Sequence, residues 1–389
     1  MAIRLEEQFS KSGHKAGSLI QPFRRLSESS AVSANTAADI MKENEYGHSN
    51  VDSPRLMISL VIVSWNARDF LLQCLASLYA EECRHPMEII VVDNASLDGS
   101  AESVASCYPH VRLIRNASNL GFAKANNIGI SASTGKYVCL VNSDVKMLPY
   151  CIDGLVKYCE EHPEVGMVGP RVIGGNGELQ RSCRGFPTVW NMFCRALALD
   201  TIFPGTKAFT GYSLRYWAQD TCRAVDILSG CFWLARREAL ARVGVLDESF
   251  FMYGEDMDWC KRFRDRGWKL VFVPSAQAIH YGGASSANAP VRFYIERHRA
   301  DLQYWQKHHS RPAVLCYFLL TCLHLLLRLA GYVAAILFRR SAHATCRYKA
   351  MRSLAALKWM LSDGIKQCKS ASTPALSAAT SPAKIPIAN

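Results

Sequence analysis

From Leu56 onward, short continuous apolar runs alternate with segments of helical spacing. LMISLVIVSWN (56–66), MEIIVVDNAS (87–96), VRLIRN (111–116) and KYVCLVNSD (136–144) have the length and composition of buried strands. Between them, ARDFLLQCLASLYA (67–80), residues 101–107 and FAKANNIGISAS (122–133) read as helices. Strands that are apolar throughout, each followed by a helix, indicate a parallel sheet covered on both faces. Ligands of such sheets bind beyond the carboxyl ends of the strands. That rim is where Asn66, Asp93, Asn94 and Asp144 fall.

The second half is more mixed. EVGMVGPRVIGGNGELQ (164–180) reads as a strand and a Gly-rich hairpin turn. Residues 225–235 and WKLVFVP (268–274) read as further strands, the latter continuing through AQAIHYGG. Between these two lies the acidic stretch FFMYGEDMDWCKRF (250–263). After Pro312 the pattern changes to a 26-residue apolar run, 313–338, interrupted only by His324 and Arg328. About 20 apolar residues suffice to cross a bilayer. Basic residues flank this run on both sides, without the asymmetry of a single span. YKAMRSLAALKWML (348–361) then has the basic, amphipathic pattern of a helix lying on an anionic surface. Peripheral or re-entrant attachment is therefore expected ahead of a true span or a soluble helical extension. Residues 1–54 are polar and without periodicity, the pattern of a flexible tail.

Composition adds two constraints. The net charge of +12 points to a polyanionic partner: nucleic acid, anionic lipid or a phosphorylated substrate. No recognition-helix or RNA-binding motif accompanies it, and the basic residues gather near the termini and the hydrophobic helices, which argues against nucleic acid. The 15 cysteines form no C-x-x-C pair, and no apolar leader is visible. They are expected as reduced, small apolar core residues in a cytoplasmic setting.

Taken singly, the polar residues of the rim have two readings. Asp93 either accepts a hydrogen bond from a nucleotide base or belongs to an ordinary strand-to-helix turn. Asn119 and Asn126, on either side of Gly121, could touch a ribose or phosphate, or form a loop and cap. Asp144 suits a hard divalent cation beside a diphosphate, or caps the next helix. Gln180, Arg181 and Arg184 could reach a sugar or an acceptor phosphate, or form an exposed basic hairpin.

The combined order VSWN, VVDNASLDGS, NLGFAKANNIGI, LVNSD, GCFWLARREALARVGVLDESFFMYGEDMDWCKR and IHYGG resembles the inverting glycosyltransferases of family 2. Within them it is most similar to the rhamnosyltransferase-type enzymes of bacterial surface-polysaccharide assembly. The resemblance spans residues 56–304. It implies a GT-A-type (Rossmann-like) α/β fold, a mostly parallel mixed sheet sandwiched by helices, followed by a hydrophobic helical C-terminal extension. The implied organisation is a tail (1–54), a catalytic domain (55–304), a membrane-associating region (305–366) and a disordered tail (367–389).

The resemblance also implies roles. Asp93 matches the base-binding Asp, and the segment with Ser64 and Asn66 lines the nucleotide pocket, joined by Asn94, Asn119, Gly121, Asn126 and Asn142. Asp144 matches the last acid of a D-x-D metal motif that here reads Asn142-Ser143-Asp144, and His280 matches the His completing the site for Mg2+ or Mn2+. Glu255-Asp256 matches an E-D motif whose Asp is the catalytic base. In an inverting transfer that base takes the acceptor's proton as its hydroxyl attacks C1, while the cation neutralises charge building on the diphosphate. Asp258 is expected to support or cap. Phe250, Phe251, Met252 and Trp259 are expected to wall the site against water, with Trp259 also a candidate contact for sugar or acceptor.

The implied reaction moves a sugar, rhamnose from dTDP-rhamnose, to a polyprenyl-diphosphate-linked or other glycan acceptor at an anionic membrane surface. Its expected place is the cytoplasmic face of the inner membrane. A UDP-hexose or UDP-GlcNAc donor is the alternative within the fold, and a non-catalytic scaffold is the alternative outside enzymology.

Overall fold

The computed structural model describes residues 57–80, 83–283, 289–338 and 343–370. The tail expected over 1–54, and residues 371–389 of the one expected over 367–389, lie outside these; 367–370 end the last helix. Four parallel strands form one half of the sheet: β1 (Ile58–Ser64), β2 (Met87–Asp93), β3 (Arg112–Arg115) and β4 (Tyr137–Asn142). Helices α1 (Arg68–Tyr79), α2 (Ser100–Cys107) and α3 (Phe122–Ala132) connect them. Side chains alternate across the sheet, so Leu60 and Ile62 of β1 join α1's Leu71 and Leu75 on one face, while Val61 joins Ala125 and Ile130 of α3 on the other. Burying each such aliphatic side chain contributes about 1.5–3 kcal/mol.

The strand order is β3-β2-β1-β4, then β11 (Phe232–Arg236), β6 (Val165–Gly174), β12 (Lys269–His280) and β5 (Val145–Met147). Strand β11 runs antiparallel between β4 and β6, which makes the sheet mixed. Helix α4 (Cys151–Glu161) packs on β6 and β12. Short pieces complete the sheet region: β7 (Leu179–Gln180) beside β6, β9 (Arg223–Ala224) beside β12, and the separate pair β8 (Cys183–Arg184) with β10 (Ile227–Leu228). The strand expected over 225–235 is thus two strands separated by a turn at 229–231. The chain between β8 and β9 carries the short helices α5 (Val189–Ala196), α6 (Leu199–Ile202) and α7 (Lys207–Thr210).

Helix α8 (Arg237–Val243) follows β11, and α9 (Glu255–Asp265) opens on the acidic motif. Strand β12 keeps its partner β6 across a register shift between Val273 and Gln277, and so reaches His280. Such irregularities re-aim the residues beyond them.

The C-terminal part is helical: α10 (Pro290–His308), α11 (Arg311–Phe338), α12 (His343–Trp359), a π-helical turn (Met360–Gly364) and α13 (Ile365–Ser370). Helix α10 runs straight through the boundary expected at 304/305. The reason is packing: Tyr304 and Trp305 are buried, and Trp305 stacks on Tyr317 of α11 at 4.9 Å. Helix α11 is long and apolar enough to cross a membrane by length and composition. One of its faces, including Val314, Phe318, Thr321 and Leu325, is buried, whereas Leu315, Leu319, Leu323, Leu326 and Leu327 are exposed.

Candidate active site

Sheet register builds the rim. Ser64 pairs with Asp93, Asp93 with Arg115, and Val63 with Asn142, so the carboxyl ends of β1 to β4 stand in one row. The order reverses between β1 and β4, which is where doubly wound sheets open a crevice. Asp93 is buried, and its Oδ2 accepts from the Ser96 amide at 3.1 Å. Its Oδ1 and the Ser64 hydroxyl have no hydrogen-bond partner although both are buried. A buried carboxylate oxygen with unused lone pairs is poised for a donor from outside the protein.

Several amides expected to touch the nucleotide are instead engaged with one another. Asn94 donates to Asn119 Oδ1 (2.8 Å) and to the Gly121 carbonyl (3.2 Å), and its own Oδ1 accepts from Asn116 Nδ2 and the Leu120 amide, both at 3.0 Å. Asn119 Oδ1 also accepts from the Gly121 amide at 3.0 Å. Asn126 is buried within α3 and donates to the Phe122 carbonyl at 2.9 Å. Asn66 accepts from the Leu97 amide at 2.7 Å and so clips the loop after β2. These residues shape the rim. Asn94 in particular is saturated and enclosed, which removes it as a direct ligand contact, and Asn126 is buried against its own helix.

Gly121 has a packing role. With φ at +84°, a Cβ there would lie 2.5 Å from the Phe251 carbonyl oxygen. That same carbonyl accepts from the Phe122 amide at 2.7 Å. The close approach pins the segment before Glu255 to the start of α3.

On the other side of β4, strand β12 delivers His280 to Asp144. His280 Nε2 lies 3.1 Å from Asp144 Oδ1, and the Tyr281 amide donates to the Asp144 carbonyl at 3.0 Å. Gln180 Oε1 sits 2.7 Å from His280 Nδ1, and Asn142 Nδ2 lies 3.4 Å from Nε2. The tautomer with its proton on Nδ1 satisfies both neighbours. Its Nε2 lone pair then faces both the Asn142 amide and the Asp144 carboxylate oxygen, and a cation held by the carboxylate would take it from Asn142, the longer contact. Gln180, expected at the sugar or acceptor, therefore orients His280. Arg181 donates to the carbonyls of Leu214 and Trp217 (3.3 and 2.8 Å), and these backbone contacts hold its guanidinium to the 214–217 segment.

The acidic motif begins after two consecutive left-handed residues, Tyr253 (φ 68°) and Gly254 (φ 77°). Left-handed geometry at a tyrosine is strained and is held only by its surroundings. Both acids of the pair lie in the first turn of α9, where the helix dipole favours negative charge. Asp256 Oδ2 forms an ion pair with Arg184, and its Oδ1 accepts from the Met257 amide at 2.8 Å. Glu255 is buried with Oε2 unpartnered. Burial, reinforced by the negative charge of Asp256, raises its pKa well above the usual carboxylate range.

Asp258 faces elsewhere. It is fully buried and meets Arg262 (2.9 Å), Lys307 (2.7 Å) and His308 (2.7 Å), tying α9 to α10. These partners outweigh burial and hold its carboxyl far below the usual range. Trp259 and Phe250 are core residues. Trp259 packs edge-on against Trp233 and Phe263 and donates Nε1 to the Gly244 carbonyl at 3.0 Å, so it cannot touch a sugar.

The turn between β10 and β11 joins the two halves of the site. The Cys231 carbonyl accepts from the Asn142 amide at 3.0 Å, and a Cβ on Gly230 would lie 3.8 Å from Asp256 Cβ. Burial, with the charges of Asp144 and Asp256, raises the Cys231 thiol to about 12. The Asp144–His280 pair and the Glu255–Asp256 pair thus flank this one turn. Arg184, named in the sequence only as one of three hairpin candidates, is the basic residue that reaches the acids.

Residues 59–244 match the family described as Glycosyl transferase family 2. The chain is 30% identical over 265 residues to the N-acetylglucosaminyl-diphospho-decaprenol L-rhamnosyltransferase of Mycobacterium tuberculosis, covering 65% of this chain and 85% of that protein. It is 28% identical over 233 residues to the rhamnosyltransferase WbbL of Escherichia coli, covering 58% and 83% respectively. Among solved structures, the mannosyltransferase PcManGT from Pyrobaculum calidifontis, in complex with GDP-Man and Mn2+, aligns over 86% of this chain and 94% of its own. Its TM-score is 0.50 at 18% identity, a likeness of fold. On the family match and the 30% identity to the mycobacterial rhamnosyltransferase, the chain is a glycosyltransferase and belongs to glycosyl transferase family 2.

Proposed function

We propose that this enzyme transfers rhamnose from dTDP-rhamnose, with inversion, to a sugar carried on a polyprenyl diphosphate at the cytoplasmic face of the membrane. The observation that carries the reading is the flanking of one turn, 229–231, by a cation-attracting pair on one side and an acid pair on the other. The donor class and acceptor class follow the two rhamnosyltransferase relatives, one of which is named for a diphospho-decaprenol substrate.

In this mechanism the free Oδ1 of Asp93 accepts a hydrogen bond from the thymine base. Asp144 and His280 fit Mg2+ or Mn2+, since they present a carboxylate oxygen and an oriented imidazole lone pair. Among the described residues no three metal-ligating side chains converge, so substrate oxygens and water would complete the coordination. The cation, when bound, supplies charge neutralisation for the departing diphosphate.

Asp256 takes the proton of the acceptor hydroxyl as that oxygen attacks C1 from the face opposite the diphosphate. The environments of the acid pair differ in the way such pairs require. Arg184 stabilises the charge on Asp256, while burial keeps Glu255 protonated near neutral pH. Arg184 must yield its contact on Asp256 as the acceptor hydroxyl arrives. The exposed apolar face of α11 and the basic residues after it would bring the site to an anionic bilayer.

The test is a screen of dTDP- and UDP-sugars for transfer to a synthetic prenyl-diphosphate-linked acceptor, repeated with Asp256→Asn. Transfer should fall by about 10²–10⁴-fold, the usual worth of a positioned base, with donor binding retained. Undiminished turnover in the variant would remove Asp256 from the role.

A further inference from the structure

Beyond Glu255 the charge balance changes sign. Helix α10 packs against the strained turn there: a Cβ on Gly254 would lie 3.1 Å from Ala300 Cβ, and the Arg297 guanidinium sits 4.8 Å above the Tyr253 ring. Helix α10 in turn meets α11 and α12, and α11 meets α5. At this junction stand Arg195 of α5, His298 of α10, His324 of α11 and Arg352 of α12.

His298 is 7% exposed, yet neither ring nitrogen has a hydrogen-bond partner. Its ring meets Tyr294 edge-on at 4.9 Å, and Arg352 stacks over the same tyrosine at 4.2 Å with its Nε also buried and unpartnered. Burial, then the charges of Arg195, His324, Arg297 and Arg352, lower the His298 pKa to about 3. The imidazole is therefore neutral, with one N–H to donate and one lone pair. Asp301 is the acid of the cluster and feels Arg297, Arg195 and Arg184 at a distance. Among the described residues, no carboxylate lies within the 4.0 Å of an ion pair from Arg195, Arg297 or Arg352. Arg195 and Arg352 are half-buried while Arg297 is exposed, so an excess of positive charge runs from the buried His298 out to solvent. For the half-buried pair, Arg195 and Arg352, an anion would relieve the cost of the unanswered charge.

Exposed apolar side chains border these cations: Phe193 on α5, Leu197 just after it, and Leu323 and Leu327 on α11. A compact, doubly charged anion joined to a hydrocarbon would satisfy both features. We propose that the junction of α5, α10, α11 and α12 binds the diphosphate of a prenyl-diphosphate-linked acceptor. Arg195, Arg297 and Arg352 hold the phosphates, His298 donates to one of them, and Phe193 and Leu323 border the prenyl chain. Arg297 stands beside Glu255, so a diphosphate held here leaves its sugar directed to Asp256. The proposal rests on the glycosyl-transfer reading above and adds where the lipid anchor of the acceptor sits.

The test is titration calorimetry of geranyl diphosphate into the purified full chain, with Mg2+ and a nucleoside diphosphate (dTDP, or UDP where dTDP does not bind) saturating the donor site. Binding should weaken by about tenfold or more in Arg195→Gln/Arg352→Gln and separately in Arg297→Gln, the worth of one charge-assisted hydrogen bond or more. Arg352→Lys should restore part of it, and nucleotide affinity should stay unchanged throughout, which also verifies that the variants fold. His298→Ala offers a second, milder variant, expected to weaken geranyl diphosphate alone. Equal binding by wild type and all variants would overturn the proposal, as would a wild-type chain that takes the nucleotide but not geranyl diphosphate. Inorganic pyrophosphate binding as tightly as geranyl diphosphate would overturn the lipid assignment. Arginine-dependent binding of phosphatidylglycerol vesicles without binding of geranyl diphosphate would assign the cluster to bilayer headgroups instead. Geranyl diphosphate binding that survives in a chain unable to bind any nucleotide would support the cluster and refute the donor reading.

Discussion

The parallel half of the sheet and the helical half beyond α9 use polar residues in opposite ways. At the rim of β1 to β4, Asn94, Asn116, Asn119 and Asn126 satisfy one another and the local backbone, leaving a few chosen atoms such as Asp93 Oδ1 bare. In the helical half arginines from three helices surround a neutral His298, and buried nitrogens of His298 and Arg352 have no hydrogen-bond partner. The first arrangement is a frame of mutually bonded amides that leaves single atoms unpartnered at the rim. The second gathers positive charge, part of it open to water. The acid pair sits at the seam: Gly121 and Phe251 fasten it to the frame, and Asp258 fastens it to the helices.

Breaking the helical fastening should have the largest effect. Asp258→Asn should destabilise the fold by about 3–5 kcal/mol, the cost of breaking a buried ion pair, measured by denaturant unfolding. Because the folded carboxyl titrates below the unfolded value of about 3.9, its contribution is present above that pH and is lost as pH falls below it. The variant should therefore lose part of the acid-side slope of stability. On the frame side, Gln180→Ala should weaken Mn2+ binding by about 10–100-fold, as for other groups that orient a histidine ligand. Titration in the presence of nucleoside diphosphate reads this, and unchanged affinity would detach Gln180 from the cation site.

Gly121→Ala probes the fastening between frame and acid pair. The forced shift of Phe251 should cost about 1–3 kcal/mol and lower turnover more than nucleotide affinity. Glu255→Gln is the smallest change and has the opposite sign. Below the unfolded glutamate value of about 4.3 both states are protonated and the side chain carries no penalty. As pH rises toward about 8, the unfolded chain ionises while the buried side chain resists, so folding is disfavoured. The variant should melt higher than the wild type at pH 8 and nearly alike at pH 4, and a gap that does not widen with pH would contradict the buried, protonated Glu255.

Much of the frame was legible along the chain. Continuous apolar strands have no other stable home than a sheet covered on both faces, and Asp93, Asp144 and Glu255-Asp256 each follow such a strand or open a helix. What escaped were pairings fixed by tertiary approach: Gln180 with His280, Arg184 with Asp256, and Lys307 and His308 with Asp258, separated by 100, 72, and 49 and 50 positions. No local spacing encodes those distances. Other misreadings had a local signal that went unused. Trp259 and Phe263 are four apart and mark the core stripe of α9, so the tryptophan beside the acids points away from them. Asn119 and Asn126 carry two readings in the sequence, ligand contact or loop and cap, and the bonds of Asn119 to its turn and of Asn126 to its helix follow the second.

The clamp on Asp258 has a practical consequence for anyone shortening this protein to free it from its greasy end. A chain cut after residue 304 would discard Lys307 and His308 and leave Asp258 with Arg262 of its own helix as its one cation from this clamp. A chain cut after 311 would keep both cations. The two products would differ by seven residues: the longer should retain an ordered start to α9, while the shorter should lose it even in detergent, where no membrane is needed.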